Sequence, residues 1–338
     1  MRERDLSIDA VKGIAILIVM LGHCIVWNNM AESDPYLYDM IACVQMPLFM
    51  AVSGFLAGMH RQRRTGREVL MQMGKRAFAY LVPFFVWPLL LDFMHPVQRI
   101  KELLFQLDTG LWFLMTLFIV TILVMIAEWI SYLVKKGQML IFFAVTIVFY
   151  LGFFVQARVG NTFLSPSLTV NYMPFYVAAY SVTAFLPQIS IVQNLRPGFY
   201  RGLAIICGVS FAAMCVLFDM QAVTSLTQTL FRMCAGACGT YAIFYAGKRI
   251  KKGTLQNGLA LIGQYTLQLY VCQYVMHGFF VRMRALGDET FSPYSLTSIL
   301  VILATFVVMC LFSALLIWIC NHIAVLNLCL FGKKSRVK

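Results

Sequence analysis

Apolar runs of roughly 17 to 25 residues, the length an α-helix needs to cross a bilayer, recur along the whole chain between short polar stretches. Ten candidate spans are read at 12–28, 40–58, 78–94, 111–127, 138–155, 168–186, 203–218, 224–246, 258–281 and 296–325. The pattern predicts an all-α, polytopic integral membrane helix bundle of about ten transmembrane helices. A shorter amphipathic helix is expected over 97–107, where Ile100, Leu103, Leu104 and Leu107 recur at helical spacing. Pro47, Pro83, Pro88 and Pro174 fall inside spans, which membrane helices tolerate when neighbours satisfy the freed carbonyls. Between the second and third spans lies a polar inner loop, 59–77, the most basic segment of the chain.

Composition agrees with this pattern. The 338 residues are 61% hydrophobic and 12% charged, with a mean hydropathy of +0.79, too much apolar surface for one soluble core. The net charge of +13 would suggest nucleic acid in a soluble protein, but here the basic residues sort by side. With the N-terminus inside, 21 of the 27 Lys and Arg residues fall in inner segments, and Arg99, Lys101, Arg158, Arg282 and Arg284 in outer ones. Because positive charge follows the cytoplasm, this predicts an N-in, C-in topology in the plasma or inner membrane and no nucleic-acid partner. The ten cysteines lie almost wholly within spans and show neither CxxC nor Cys/His ligand spacing, so they read as small apolar packers, with no disulfide and no metal. No small-residue cleavage site follows Val26-Trp27-Asn28, so the first span reads as retained rather than as a signal peptide. Short connections, without a Ser/Pro-rich linker, predict one integral membrane domain over 1–338.

Chemistry enters with Lys12 and His23. Eleven residues are about three helical turns, so both side chains share one face, roughly 16 Å apart along the axis. An ionisable group at membrane depth is costly and by default functional; the alternative is a histidine that merely bonds a neighbouring helix. Neutral imidazole is the form a general base needs, and removing water disfavours the charged form. The inner cations, among them Lys12, Lys75 and Arg76, suit anionic lipid headgroups or, more sharply, the phosphates of a nucleotide cofactor. Arg232 sits inside the eighth span without a carboxylate in helical reach. It needs a partner on another helix, with Asp92 as a structural option, or a ligand. Gln264, Gln268, Tyr270, Gln273 and His277 give the ninth span a polar side that suits a water-lined cavity or, alternatively, interhelical hydrogen bonds.

Together these segments resemble the acyltransferase-3 family of integral membrane O-acyltransferases, along nearly the whole chain. Ile8-Asp9 through Lys12 and Leu21-Gly22-His23 is similar to the family's first-helix motif, a basic residue, ten intervening positions, then His. Gln45-Met46-Pro47 through Ser53-Gly54-Phe55, Lys75-Arg76 before Pro83, Gly110-Leu111-Trp112, and Gly263 with Thr266-Leu267 and Tyr270 resemble later signatures in order. The chain departs from the family in carrying Lys12 where Arg is frequent and Gln273 where many members have His. The resemblance implies a catalytic His23, with Lys12, Lys75 and Arg76 near acetyl-CoA. It also implies transfer of an acetyl group to a hydroxyl of a bacterial cell-surface glycan or its lipid-linked precursor. Ser53, Trp112, Arg232, Tyr270, Gln273 and His277 are the candidates for contacting substrate or the oxyanion. The rival reading is a glycan-precursor transporter or flippase, for which the chain shows no convincing repeat between 1–170 and 171–338. Membrane lipids are expected partners, and a homo-oligomer is left open.

Overall fold

The structure, a computed structural model, describes residues 5–28, 35–107, 110–189, 196–220, 225–284 and 295–333, with the side chains of Pro35 and of 277–284 not described. Among the described residues there is no strand. The helices are α1 Leu6–Trp27, α2 Pro35–Met59, α3 Gly66–Leu91, α4 Pro96–Phe105, α5 Trp112–Tyr132, α6 Gln138–Arg158 and α7 Pro166–Ala184. They continue as α8 Pro197–Leu217, α9 Leu226–Lys248, α10 Thr254–Gln264, α11 Thr266–Arg284, α12 Leu296–His322 and α13 Ala324–Phe331. Among the described residues, six helices are long and apolar enough to cross a membrane: Leu6–Trp27, Tyr36–Met59, Trp112–Ser131, Gln138–Arg158, Pro197–Leu217 and Leu296–His322. The other four expected spans are helical too, but α3 carries Arg67, Lys75 and Arg76, α9 carries Arg232 and Lys248, and α7 and α11 are rich in polar side chains.

Local chemistry sets the boundaries. Asp5 caps α1 by accepting from the Ser7 backbone N–H at 2.9 Å. Thr65 and Glu68 form a reciprocal capping box that starts α3 at Gly66. The inner loop expected over 59–77 is therefore confined to six residues between α2 and α3, and Lys75 and Arg76 stand on a helix. The expected helix at 97–107 is α4, with Leu103 fully buried. Pro47, Pro83, Pro88 and Pro174 lie inside α2, α3 and α7, which run on through them. The expected span 258–281 is divided at Tyr265 into α10 and α11.

The chain forms two compact units. One comprises Met1–Val52 and Asn194–Trp318, the other Ser53–Gln193 and Ile319–Lys338. In the first, α1 packs against α10, α9 and α11, and α8 pairs with α9. The closest approach is α1 on α10, where a Cβ at Gly13 would fall on the Leu259 carbonyl and one at Gly263 on the Asp9 carbonyl. Residues 9 and 13 thus face 263 and 259, an antiparallel contact in which a glycine on each helix lets the two backbones meet. In the second unit α5 packs against α3, α6 and α7, and α13 lies on α3, where the Trp87 indole N–H donates to the Leu330 carbonyl at 2.7 Å. Gly54 and Gly58 of α2 face the carbonyls of Tyr176 and Tyr180 of α7, again leaving no room for a Cβ.

Burial is uneven in a way that fits hydrocarbon. The most apolar stretches of α1 and α2 are each 61% buried within the protein, whereas those of α6 and α8 are 11% and that of α12 17%. Ile147, Val148, Ile205, Ile206, Leu311 and Leu315 are exposed on these last three helices. Such bare apolar faces are costly in water and suited to lipid.

Candidate active site

His23 lies near the C-terminal end of α1, about three turns beyond Lys12 on the same uninterrupted helix. Its ring is half-buried and stacks on Trp27, one helical turn further on, with centroids 5.5 Å apart and planes 8° from parallel. Across from it on α11, Gln273 is 1% exposed, and its Oε1 lies 2.5 Å from His23 Nδ1. An amide oxygen can only accept, so Nδ1 is the donor, which in a neutral imidazole leaves the lone pair on Nε2. The Gln273 Nε2 amide group is buried and has no hydrogen-bond partner. Beside His23 in sequence, Gly22 abuts Gln45 of α2, whose Oε1 is likewise buried without a partner. Buried polar atoms are nearly always satisfied, so the orphan donor of Gln273 beside the imidazole and the orphan acceptor of Gln45 beside Gly22 stand out. The sequence reading cited Gln45 only as part of a motif; the signal for it is an isolated amide in an apolar helix.

Toward the start of α1, Lys12 Nζ pairs with Asp9 Oδ1 at 2.8 Å, with side-chain exposures of 22% and 4%. The ammonium remains partly open and has three donors, so the buried carboxylate orients it without exhausting it. Tyr270 and Gln268 of α11 are buried in the same unit, and Gln264 closes α10. His277 lies on α11, but its side chain falls outside the described residues.

Arg232 of α9 faces α2, interacting with the Cys43 thiol and the Tyr38 phenol. Beside them Asp39 is 1% exposed; one carboxylate oxygen accepts the Met220 N–H at 2.9 Å and the other is buried with no partner. Asp92 belongs to the second unit. It is half-exposed and stands 3.7 Å from His95. Cys43 and Cys215 are buried together with Met220 and Ala235, and all ten cysteines are free thiols.

The remaining candidates belong to the second unit. Lys75 lines a cavity of about 210 Å³ with Gln62, Arg63, Arg64, Glu68, Met71 and Gln72. Arg76 is exposed on the same helix, α3. Ser53 is half-buried in α2, and Trp112, at the start of α5, lies with its ring centroid 5.4 Å from that of Tyr172.

Glu128 escaped the sequence reading altogether. It is 5% exposed and accepts from Arg64 at 3.0 Å, the Tyr180 hydroxyl at 2.8 Å and the Gln62 N–H at 3.3 Å. The Arg61 guanidinium sits 4.7 Å from the Tyr132 ring and 4.5 Å from that of Phe185. Arg61 and Arg64 are thus held by the fold itself. A lone acid inside the apolar run of α5 was the available signal.

The sequence family described as "Acyltransferase domain" matches residues 5–318. The chain is 32% identical over 136 residues to "Nodulation protein NolL" of Mesorhizobium japonicum, a stretch covering 36% of this chain and 35% of that protein. It is 36% identical over 95 residues to "Nodulation protein NolL" of Sinorhizobium fredii, covering 27% of this chain and 25% of that protein. The chain therefore spans only about a quarter to a third of the length of these relatives. No solved structure matches.

Proposed function

The chain belongs to the acyltransferase-3 family, and on that premise we propose that it is a multi-pass O-acetyltransferase of the bacterial inner membrane, one domain of about ten spans with both termini inside. It transfers acetyl from acetyl-CoA to a hydroxyl of a cell-surface glycan or its lipid-linked precursor. The observation that carries this reading is the His23–Gln273 contact: an imidazole on an apolar helix, met at Nδ1 by an amide oxygen, in a family that moves acyl groups.

In the proposed reaction Nε2 of His23 takes the proton from the acceptor hydroxyl as its oxygen attacks the thioester carbonyl carbon. The tetrahedral oxyanion then collapses, the carbon–sulfur bond breaks, and the departing thiolate takes the proton back from Nε2, returning His23 to its starting form. Tyr270, Ser53, Trp112 and His277 are the candidates for the oxyanion, and Gln273 is kept for its contact with His23. Coenzyme A carries phosphates that cannot enter hydrocarbon, so its nucleotide is assigned to cationic groups, for which Lys12, Lys75 and Arg76 are the candidates. The basic lining of the cavity that includes Lys75 supports that assignment. Arg232 is the candidate for the acceptor sugar.

Thermal stabilisation tests the reading on the purified chain. Acetyl-CoA should raise the melting temperature while free sugars alone leave it unchanged, and Lys12→Ala should raise the KM for acetyl-CoA more than it lowers kcat. A chain stabilised by saccharide but indifferent to acetyl-CoA would instead support a glycan-precursor carrier. Surface-glycan profiles of cells with and without the gene should differ by acetyl marks.

A further inference from the structure

We infer that Gln273 is a positioning residue, whose carbonyl locks His23 into the Nδ1–H tautomer and makes Nε2 the only nitrogen able to take the proton. This rests on His23 being the base, as proposed above. A neutral imidazole carries one N–H, and its two tautomers present different basic atoms. Here the choice is made by geometry, because Oε1 of Gln273 approaches Nδ1 and cannot donate to it. Two features hold the ring and its partner still. Gln273 is 1% exposed on α11, and Trp27 stacks nearly parallel on the imidazole from within α1, so rotation about the ring axis would break both contacts.

The partner is an uncharged amide. A carboxylate at this position would also select the tautomer, but it would stabilise the imidazolium and hold the proton more tightly. An amide orients the ring while leaving its basicity to the surroundings. Those surroundings carry little charge: residues 254–276 of α10 and α11 contain no Asp, Glu, Lys, Arg or His. The titratable or charged groups on the elements that reach α1 are Arg232 and Lys248 on α9, Asp39 on α2, His322 at the end of α12, and His277, Arg282 and Arg284 at the end of α11, whose side chains lie outside the described residues, with Asp9 and Lys12 on α1 itself.

The test uses the full chain reconstituted in lipid nanodiscs, with acetyl-CoA as donor and, as acceptor, surface polysaccharide extracted from a strain lacking the gene. Thiol release is followed against pH. Gln273→Leu should lower kcat on the order of 10–100-fold, the usual range for outer partners of functional histidines, with the KM for acetyl-CoA unchanged. Gln273→Glu, close to isosteric, should recover part of kcat and move the acidic limb of the kcat/KM profile to higher pH, a shift that a merely structural glutamine would not produce. If His23→Ala abolishes activity while Gln273→Leu keeps wild-type kcat and Gln273→Glu leaves the profile in place, the tautomer assignment is wrong and the base assignment stands. Full activity in His23→Ala would overturn both.

Discussion

Glu128 in α5 and His23 in α1 are both ionisable groups set in apolar helices, yet they are treated in opposite ways. Glu128 is surrounded by donors, a guanidinium, a phenol and a backbone N–H, so its charge is matched where it lies. His23 is met at Nδ1 by a neutral amide and steadied by an indole, which fixes the ring without assigning it a charge. A carboxylate neutralised on several sides contributes to architecture. An imidazole held at one nitrogen by a neutral amide is the arrangement on which the proposed base role rests.

Removing Glu128 should have the largest effect on stability. Glu128→Ala leaves the partly buried Arg64 without its counter-ion, and since breaking a fully buried pair costs about 3–5 kcal/mol, the loss should approach the lower end of that range; thermal or denaturant unfolding in detergent measures it. Replacing both partners, Arg64→Met with Glu128→Leu, should recover most of that loss, since a well-packed apolar pair of similar volume is often neutral. If the double variant is no better than Glu128→Ala, the cluster matters for more than its charge balance. Next comes Gly263→Val, whose side chain would have to displace the Asp9 carbonyl. It should separate α10 from α1, lower stability by roughly 1–3 kcal/mol as overpacking does, and disturb the Lys12–Asp9 pair, seen as a raised KM for acetyl-CoA.

Smaller effects are expected at the start of α3. Thr65→Ala removes one half of the capping box and should cost about 1 kcal/mol. The Glu68 carboxyl is held below its ordinary value of 4.5 by the Thr65 backbone N–H, then by the Thr65 hydroxyl. A depressed carboxyl pKa adds stability above the ordinary value and loses it as pH falls through the lowered one. Unfolding measured below about pH 4.5 should therefore slope downward in the wild type and less so in Glu68→Gln.

Much of this was legible in the sequence, and the exceptions have physical causes. Hydrophobic runs located the helices because lipid and interior both demand apolar side chains, and Gln138–Arg158 begins at the residue the pattern indicated. The break at Tyr265 was hidden because neither a proline nor a charged residue marks it in 254–276. What divides them is visible only in three dimensions, where Gly263 meets the backbone of α1. Lys12 and His23 stood out by type and spacing, whereas Asp9, three residues before Lys12, figured only as part of a motif, and its pairing with Lys12 emerges from the structure. Arg61 and Arg64 counted as topology signals, which is all a tally of charges can say. Their roles against aromatic rings and Glu128 depend on residues 64 to 124 positions away, beyond the reach of any local pattern.

The most direct measurement is single-turnover acetyl transfer at saturating acetyl-CoA by wild type and His23→Ala, with melting temperatures recorded on the same samples. The account predicts a rate lower by roughly 10²–10⁴-fold, the usual contribution of a positioned base, and an unchanged melting temperature. A His23→Ala chain that transfers acetyl at the wild-type rate would contradict it.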